Sequence, residues 1–246
     1  MNRKPWPGRK FVVELRRVGE SAYHDKHPFH VLMNSGQLGR KEIQTWAINR
    51  FFYQSHLPPK DAAIISNCPI REVRRLWLHR ITDHDGLEKD EGGIGAWLQL
   101  GRACGVSRAL MLSERQVLPG VRFAVDAYVN FARTNPWPIA VASSLTELFA
   151  PDLMAERLRA FERHYPWVRS DGLRYFKNRV TQARRDSDEG LELTLKYCRT
   201  REMQEAAVAA IRFKCDVLWT MLDCIHADSQ AGRGAGRTPR HAGNGH

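Results

Sequence analysis

The 246-residue chain contains no run of the ~18 consecutive apolar residues that a membrane-spanning helix needs. Its first residues, Met1 to Gly8, carry charge with no apolar stretch behind them, so no secretory signal is expected. Cysteine is scarce. Cys68, Cys104, Cys198, Cys215 and Cys224 are odd in number and lack any CxxC spacing, which argues against a disulfide framework and a zinc ribbon. Reduced thiols in a cytoplasmic protein are the expectation. Alternating β-branched stretches are missing, as are internal repeats, so neither a sheet nor a solenoid is anticipated. The paired Glu-x-x-His repeats of a di-iron bundle are absent too.

What remains reads as helix. Hydrophobic residues make up 43% of the chain, and a chain of this length buries roughly three quarters of its unfolded surface. Helical periodicity predicts runs over Phe11–Ala22, Lys41–His56 (stopped by Pro58-Pro59), Asp61–Asn67, Pro69–His84, Ile94–Ala103, Pro119–Arg133 and Pro136–Phe149. Further runs are expected over Asp152–His164, Asp171–Arg185, Leu191–Arg199 and Arg201–Ile225. The fold class is therefore all-α, one compact helical bundle over residues 1–226. Residues 227–246 are rich in Gly, Ala and Arg without an apolar period, and are expected to form a disordered tail.

Net charge is +11. Such a balance favours an anionic partner: nucleic acid, an acidic membrane or a polyanionic small molecule. The arginine pairs Arg16-Arg17, Arg74-Arg75 and Arg184-Arg185 could serve nucleic acid, but paired charges on helices are ordinarily solvated faces.

The apolar stripes are more informative. Arg50 and Gln54 share the stripe of Ile43, Trp46 and Ala47. Arg80 and His84 continue that of Val73, Leu76 and Trp77. Tyr128 lies with Val121, Ala124 and Val125, and Glu147 with Ala140, Val141 and Ser144. Tyr175 and Arg179 sit one turn apart beside Phe176, and Lys214 follows Ile211. Any one of these is ordinarily a snorkelling side chain or a core tyrosine with a satisfied hydroxyl. Together they direct four cations inward with one carboxylate, Glu147, to neutralise them, and an unpaired buried charge costs several kcal/mol. The surplus implies a cavity for a multiply carboxylated small molecule. The threefold spacing of His24, His27 and His30 invites a metal reading, but Pro28 interrupts the run.

The stretches HPFHVLMNSGQLGRKEIQTWAINRFFYQSHLPPKDAAIISNCP, REVRRLWLHRITDHDG, SSLTELFAP and HYPW resemble the pyrroloquinoline-quinone (PQQ) synthase family, from about Phe11 to Leu222. The resemblance implies a haem-oxygenase-like helical bundle, a homodimer, with no metal or organic cofactor and dioxygen as co-substrate. The implied substrate is a bicyclic, carboxylate-rich precursor carrying an amino acid side chain. Ring closure and removal of eight electrons would yield PQQ and hydrogen peroxide.

The family's site positions match Tyr23, His24, Arg50, Gln54, Lys60, Arg80, His84, Tyr128, Glu147, Tyr175, Arg179 and Lys214. By this resemblance Arg50, Lys60, Arg80 and Lys214 clamp carboxylates and quinone oxygens, with Tyr23, Gln54, Tyr128 and Glu147 also binding substrate. His84 and His24 move protons, and Tyr175 and Arg179 join His84 in holding dioxygen and peroxide. Met154 stands where relatives often carry histidine, and a thioether cannot transfer a proton. Three alternatives stay open: a non-catalytic PQQ or precursor carrier, a metal-dependent oxygenase on the same scaffold, and a thiamin-degrading hydrolase on it.

Overall fold

The computed structural model describes residues 3–235. Twelve helices carry the described chain: α1 (Gly8–Ala22), α2 (Pro28–Asn34), α3 (Arg40–Ser55), α4 (Leu57–Asn67), α5 (Arg71–Asp85), α6 (Gly92–Ala103), α7 (Arg108–Leu112), α8 (Pro119–Thr134), α9 (Trp137–Ser143), α10 (Ala150–His164), α11 (Arg174–Tyr197) and α12 (Arg201–Ala235). Tighter 3-10 turns cover His24–Lys26, Ser144–Phe149 and Ser170–Leu173. Among the described residues there is no strand, only an isolated bridge between Leu87 and Asp90.

Proline begins helices here more than it ends them. Prolines occupy the first turn of α2, α4, α8, α9 and α10, where the missing N–H has no intrahelical partner to lose. The helix expected to end before Pro58-Pro59 does so, α3 closing at Ser55, and the two prolines then occupy the first turn of α4 after a bend at His56. Residues Pro136–Phe149 are not one helix. After Ser143, whose Oγ donates to the Ala140 carbonyl at 2.6 Å, the chain tightens to the 3-10 form. With about three residues per turn, Ser144 and Glu147 then point the same way.

The expected break between Arg185 and Leu191 is absent: α11 is continuous for 24 residues. Gly190 sits inside it, and Leu145 packs close by, 3.3 Å from where a Cβ would stand. The helix α12 also overruns its expected end at Ile225 and continues to Ala235. The segment expected to be disordered is therefore helical from 227 to 235, where Ala227, Ala231 and Ala235 favour helix, and its remainder lies outside the described residues.

The long α12 packs on α1, α8 and α9, while α10 and α11 lie against each other. Trp46, Trp97, Phe161 and Phe176 form an aromatic cluster at the heart of the main core. A smaller core gathers Ile64, Val73, Trp77, Val141 and Leu193. All five cysteines are free. Burial pushes the Cys104 thiol up to about 12 and that of Cys215 to about 11, so both are packing groups.

Candidate active site

The stripe residues do converge. Tyr23, His24, Arg50, Gln54, Lys60, Arg80, His84, Tyr128, Tyr175, Arg179 and Lys214 are all buried, and Glu147 is half-buried. Tyr23, His24, Arg50, Gln54, Glu147, Tyr175 and Arg179 line a single cavity of about 50 Å³, with Met154, Tyr53, Leu57, Thr146, Ala150 and Leu218 completing the wall. The other five do not line it. Each is one contact or so behind the wall.

Glu147 is the hinge of the ionic network. Its Oε1 accepts from Arg80 at 2.7 Å and from Arg179 at 3.1 Å, while its Oε2 accepts from Arg80 at 2.8 Å. The expectation that Glu147 alone neutralises the inward cations is corrected by two further buried carboxylates. Asp61 accepts from Lys60 at 2.6 Å and from the Trp77 indole at 2.8 Å. Asp186 accepts from Arg179 at 3.0 Å and from Arg185 at 2.8 Å, and lies 3.6 Å from Arg80. Burial raises both acids, but the surrounding cations outweigh it and hold both carboxyls below the usual range. Sequence reading missed Asp61 because it precedes the stripe of its helix. It missed Asp186 because a break was expected at Arg185, although Asp186 is seven residues, about two turns, from Arg179.

Lys60 and Arg80 are therefore internal ion-pair partners in this arrangement, and neither lines the cavity. Lys60 also donates to Ser144 Oγ at 3.1 Å, which stands 3.5 Å from the Tyr128 hydroxyl. Arg80 stacks on Trp77 at 4.3 Å.

A surplus of positive groups survives this accounting. Among the described residues, no carboxylate pairs with Arg50, Lys214 or Arg157. Arg50 rests over the Tyr53 ring at 4.4 Å, with its Nε unpartnered. Lys214 Nζ is 3.3 Å from the Tyr128 ring centre and donates to the Tyr53 hydroxyl at 2.6 Å. Burial, then Lys60 and Arg50, drive its pKa well below the ordinary lysine value. Arg157 was not foreseen, although it falls on the α10 stripe of Leu153, Met154, Ala160 and Phe161. It is fully buried and donates to His30 Nε2 at 2.9 Å; its Nε and Nη1 have no partner. Burial and Arg50 pull it down to about 9.

The histidines divide by role. The His84 Nδ1–H donates to the Arg80 carbonyl at 2.9 Å, which leaves Nε2 buried, unprotonated and without a partner. Burial and Arg179 lower its pKa to about 4, so it is a neutral base throughout the physiological range. His24 is likewise held neutral by burial and by Arg50, and its ring meets Tyr23 edge-on at 4.5 Å. His27 and His30 have structural partners, although the His30 ring packs 4.9 Å from that of His24. His27 Nδ1 caps α2 by accepting from the Phe29 N–H at 3.0 Å, and His30 Nδ1 donates to the His24 carbonyl at 2.8 Å. No shared ligand sphere for a metal results.

His79, Asp186 and Glu189 do lie at metal-ligand spacing. Asp186 is already committed to Arg179 and Arg185, with Arg80 close by, and guanidinium groups at that range repel a cation. Tyr175 and Arg179 stand side by side on the cavity wall: the Tyr175 hydroxyl donates to Gln54 Oε1 at 3.0 Å, and Arg179 reaches Glu147. The wall thus offers a neutral base behind it, hydrogen-bonding phenols, and cations lacking an anion.

The profile of the TENA/THI-4/PQQC family matches residues 13–224. The chain belongs to that family. Within it, the chain is 54% identical over 225 residues to a pyrroloquinoline-quinone synthase of Pseudomonas aeruginosa, covering 92% of this chain and 90% of that protein. It is 53% identical to one of Cronobacter sakazakii, covering 88% and 86%. Among solved structures, a Shewanella denitrificans domain of unknown function with a heme oxygenase-like fold superposes with a TM-score of 0.74 at 14% identity, covering 95% of this chain and 96% of that one. A TenA homologue from Pseudomonas syringae gives 0.75 at 12% identity, covering 92% and 98%. The haem-oxygenase-like fold is thereby established for this family member. Its Met154 thioether lies on the cavity wall, apolar where a histidine would add a proton carrier.

Proposed function

We propose that this chain is a pyrroloquinoline-quinone synthase that closes a third ring on a bicyclic, carboxylate-rich precursor, through the amine of its amino acid side chain, and oxidises it with dioxygen. The observation that carries the reading is the set of buried basic groups, Arg50, Lys214 and Arg157, that have no carboxylate partner among the described residues and stand at or just behind one cavity wall. Anionic groups of the guest would complete those pairs. Arginine receives a carboxylate through two parallel hydrogen bonds, and an arriving anion favours the protonated form of Lys214, whose pKa is lowered in its absence. Identity above 50% over nearly the whole chain to synthases of that name supports the same substrate.

The cavity of about 50 Å³ is far below the roughly 300 Å³ that ligand pockets occupy. Its walls therefore separate to admit the guest. Once inside, the precursor is oriented by Arg50 and Gln54. His84 Nε2 accepts protons from carbon or nitrogen as electrons leave. Arg179 and the Tyr175 hydroxyl stabilise the negative charge that develops on reduced dioxygen. The reduced ring system itself supplies the electrons, so the protein's contribution is orientation, proton transfer and exclusion of water.

We further propose a homodimer in the cytoplasm, as the family resemblance implies. Among the described residues no helix is long and apolar enough to cross a membrane. Sedimentation tests the dimer. The function is tested by a single turnover of precursor in air, followed by absorbance and a peroxide assay. Appearance of the aromatic quinone with peroxide is expected. Precursor released unchanged would make the chain a carrier.

A further inference from the structure

Tyr175 belongs to two cavities. Its hydroxyl faces inward to Gln54 at 3.0 Å, on the wall of the cavity shared with Arg179 and Glu147. The same side chain also lines a separate outer pocket of about 230 Å³, formed where the loop after α5 and the start of α6 meet α11. Thr82, Asp83, Gly93, Asn178 and Gln182 are among its walls. Gly93 matters because a Cβ there would stand 3.5 Å from the Tyr175 ring. The missing side chain leaves that edge of the ring open to the pocket. Tyr175 is only 4% exposed, so the phenol ring is the partition between the two spaces.

The reaction proposed above needs a second route. One dioxygen accepts at most four electrons, so removing eight requires at least two dioxygen molecules to reach the same bound organic intermediate. Each that takes two electrons and two protons leaves as hydrogen peroxide. A guest large enough to force the inner cavity open also fills the way by which it came.

We infer that the outer pocket bounded by Gly93, Asn178 and Tyr175 is a vestibule through which dioxygen arrives and peroxide departs while the organic guest stays bound, with the Tyr175 ring as its inner door. The polar lining suits this traffic: hydroxyl, carboxylate and amide groups solvate peroxide. Its one cation, Arg174, is outnumbered by the carboxylates of Asp83 and Asp90, a balance that does not favour a polycarboxylate. The inference rests on the synthase reading.

Two plugs from opposite walls test it. Asn178 is solvent-exposed on α11, so Asn178→Trp fills the vestibule without disturbing the core. At Gly93 an added Cβ meets no atom closer than 3.4 Å, so Gly93→Leu extends from the other side. Each variant is assayed for the dependence of turnover on dioxygen concentration, and for PQQ affinity by fluorescence titration. The expected result is a fall of about tenfold in kcat/KM for dioxygen in both, with PQQ affinity unchanged. Unaltered oxygen dependence in both plugs overturns the vestibule while leaving the synthase reading intact. So does a loss of PQQ affinity that matches the loss of turnover. Wild-type protein that makes no quinone from the precursor overturns the reading, and the vestibule with it.

Discussion

Lys214 Nζ lies 2.6 Å from the Tyr53 hydroxyl, joining α12 to α3 at a point where burial and two neighbouring cations lower the pKa of the amine. The protein holds a basic group whose charged form an incoming anion would favour. Its folded-state pKa is below the ordinary 10.5 of an unfolded lysine. Between those two values the unfolded chain binds more protons, so stability contributed by this residue rises with pH across that window and is lowest below it. Lys214→Met removes the penalty. The variant should melt above wild type near neutral pH, and the difference should shrink as pH approaches 10.5, as read by thermal unfolding. A constant difference at every pH would remove Lys214 from this role.

The same linkage predicts proton uptake on binding. Calorimetric titration of PQQ at pH 8 in buffers of different ionisation enthalpy should show protons consumed by wild type, and fewer by Lys214→Met. Equal uptake in both would assign the proton elsewhere.

Glu147 joins Arg80 to Arg179, and Glu147→Gln leaves two buried guanidiniums with a weaker acceptor. Breaking buried ion pairs of this kind costs about 3–5 kcal/mol, here lessened because Glu147 is half-buried. Urea unfolding should show a clear loss, partly restored by saturating PQQ. A variant as stable as wild type would mean that Asp61 and Asp186 suffice for both arginines.

Arg179→Ser should bind precursor normally and slow the oxygen-consuming steps by about 100-fold, the scale of losing one preorganised donor. Rapid-mixing absorbance against oxygen consumption reads this directly. Unchanged turnover would take Arg179 out of the oxygen site and leave it as a structural partner of Asp186.

His84→Ala should stall at a reduced intermediate, with a loss of about 100-fold or more. His84 titrates near 4, so the acidic limb of the wild-type rate profile for free protein should fall there. Flat activity down to pH 6 is expected, and a limb near 6.5 would point to a different base. Met154→His should change late oxidation steps only; loss of substrate affinity would place Met154 among the binding groups.

The helical class and the inward stripe were legible because periods of three and four are local properties of the chain. Arg50, Gln54, Tyr175 and Arg179 could be placed on one wall from that pattern and the resemblance together. Asp186 was not legible: a polar run ending in Gly190 looks like a loop, whereas α11 runs through it with Asp186 paired to Arg179. The pairing of Arg80 with Glu147 joins residues 67 positions apart, a contact set by tertiary packing that residue spacing does not encode. Arg157 could have been found from the α10 stripe. The helical stretch from 227 to 235 escaped because its alanine content was outweighed by the glycines around it.

The central claim is that Arg50 and Lys214 await the carboxylates of one guest. A crystal structure of the complex with PQQ tests this most directly. The account predicts PQQ between α3, α11 and α12, with carboxylate oxygens within salt-bridge reach of Arg50 and of a protonated Lys214. PQQ seated elsewhere, with both side chains still resting on Tyr53, would contradict it.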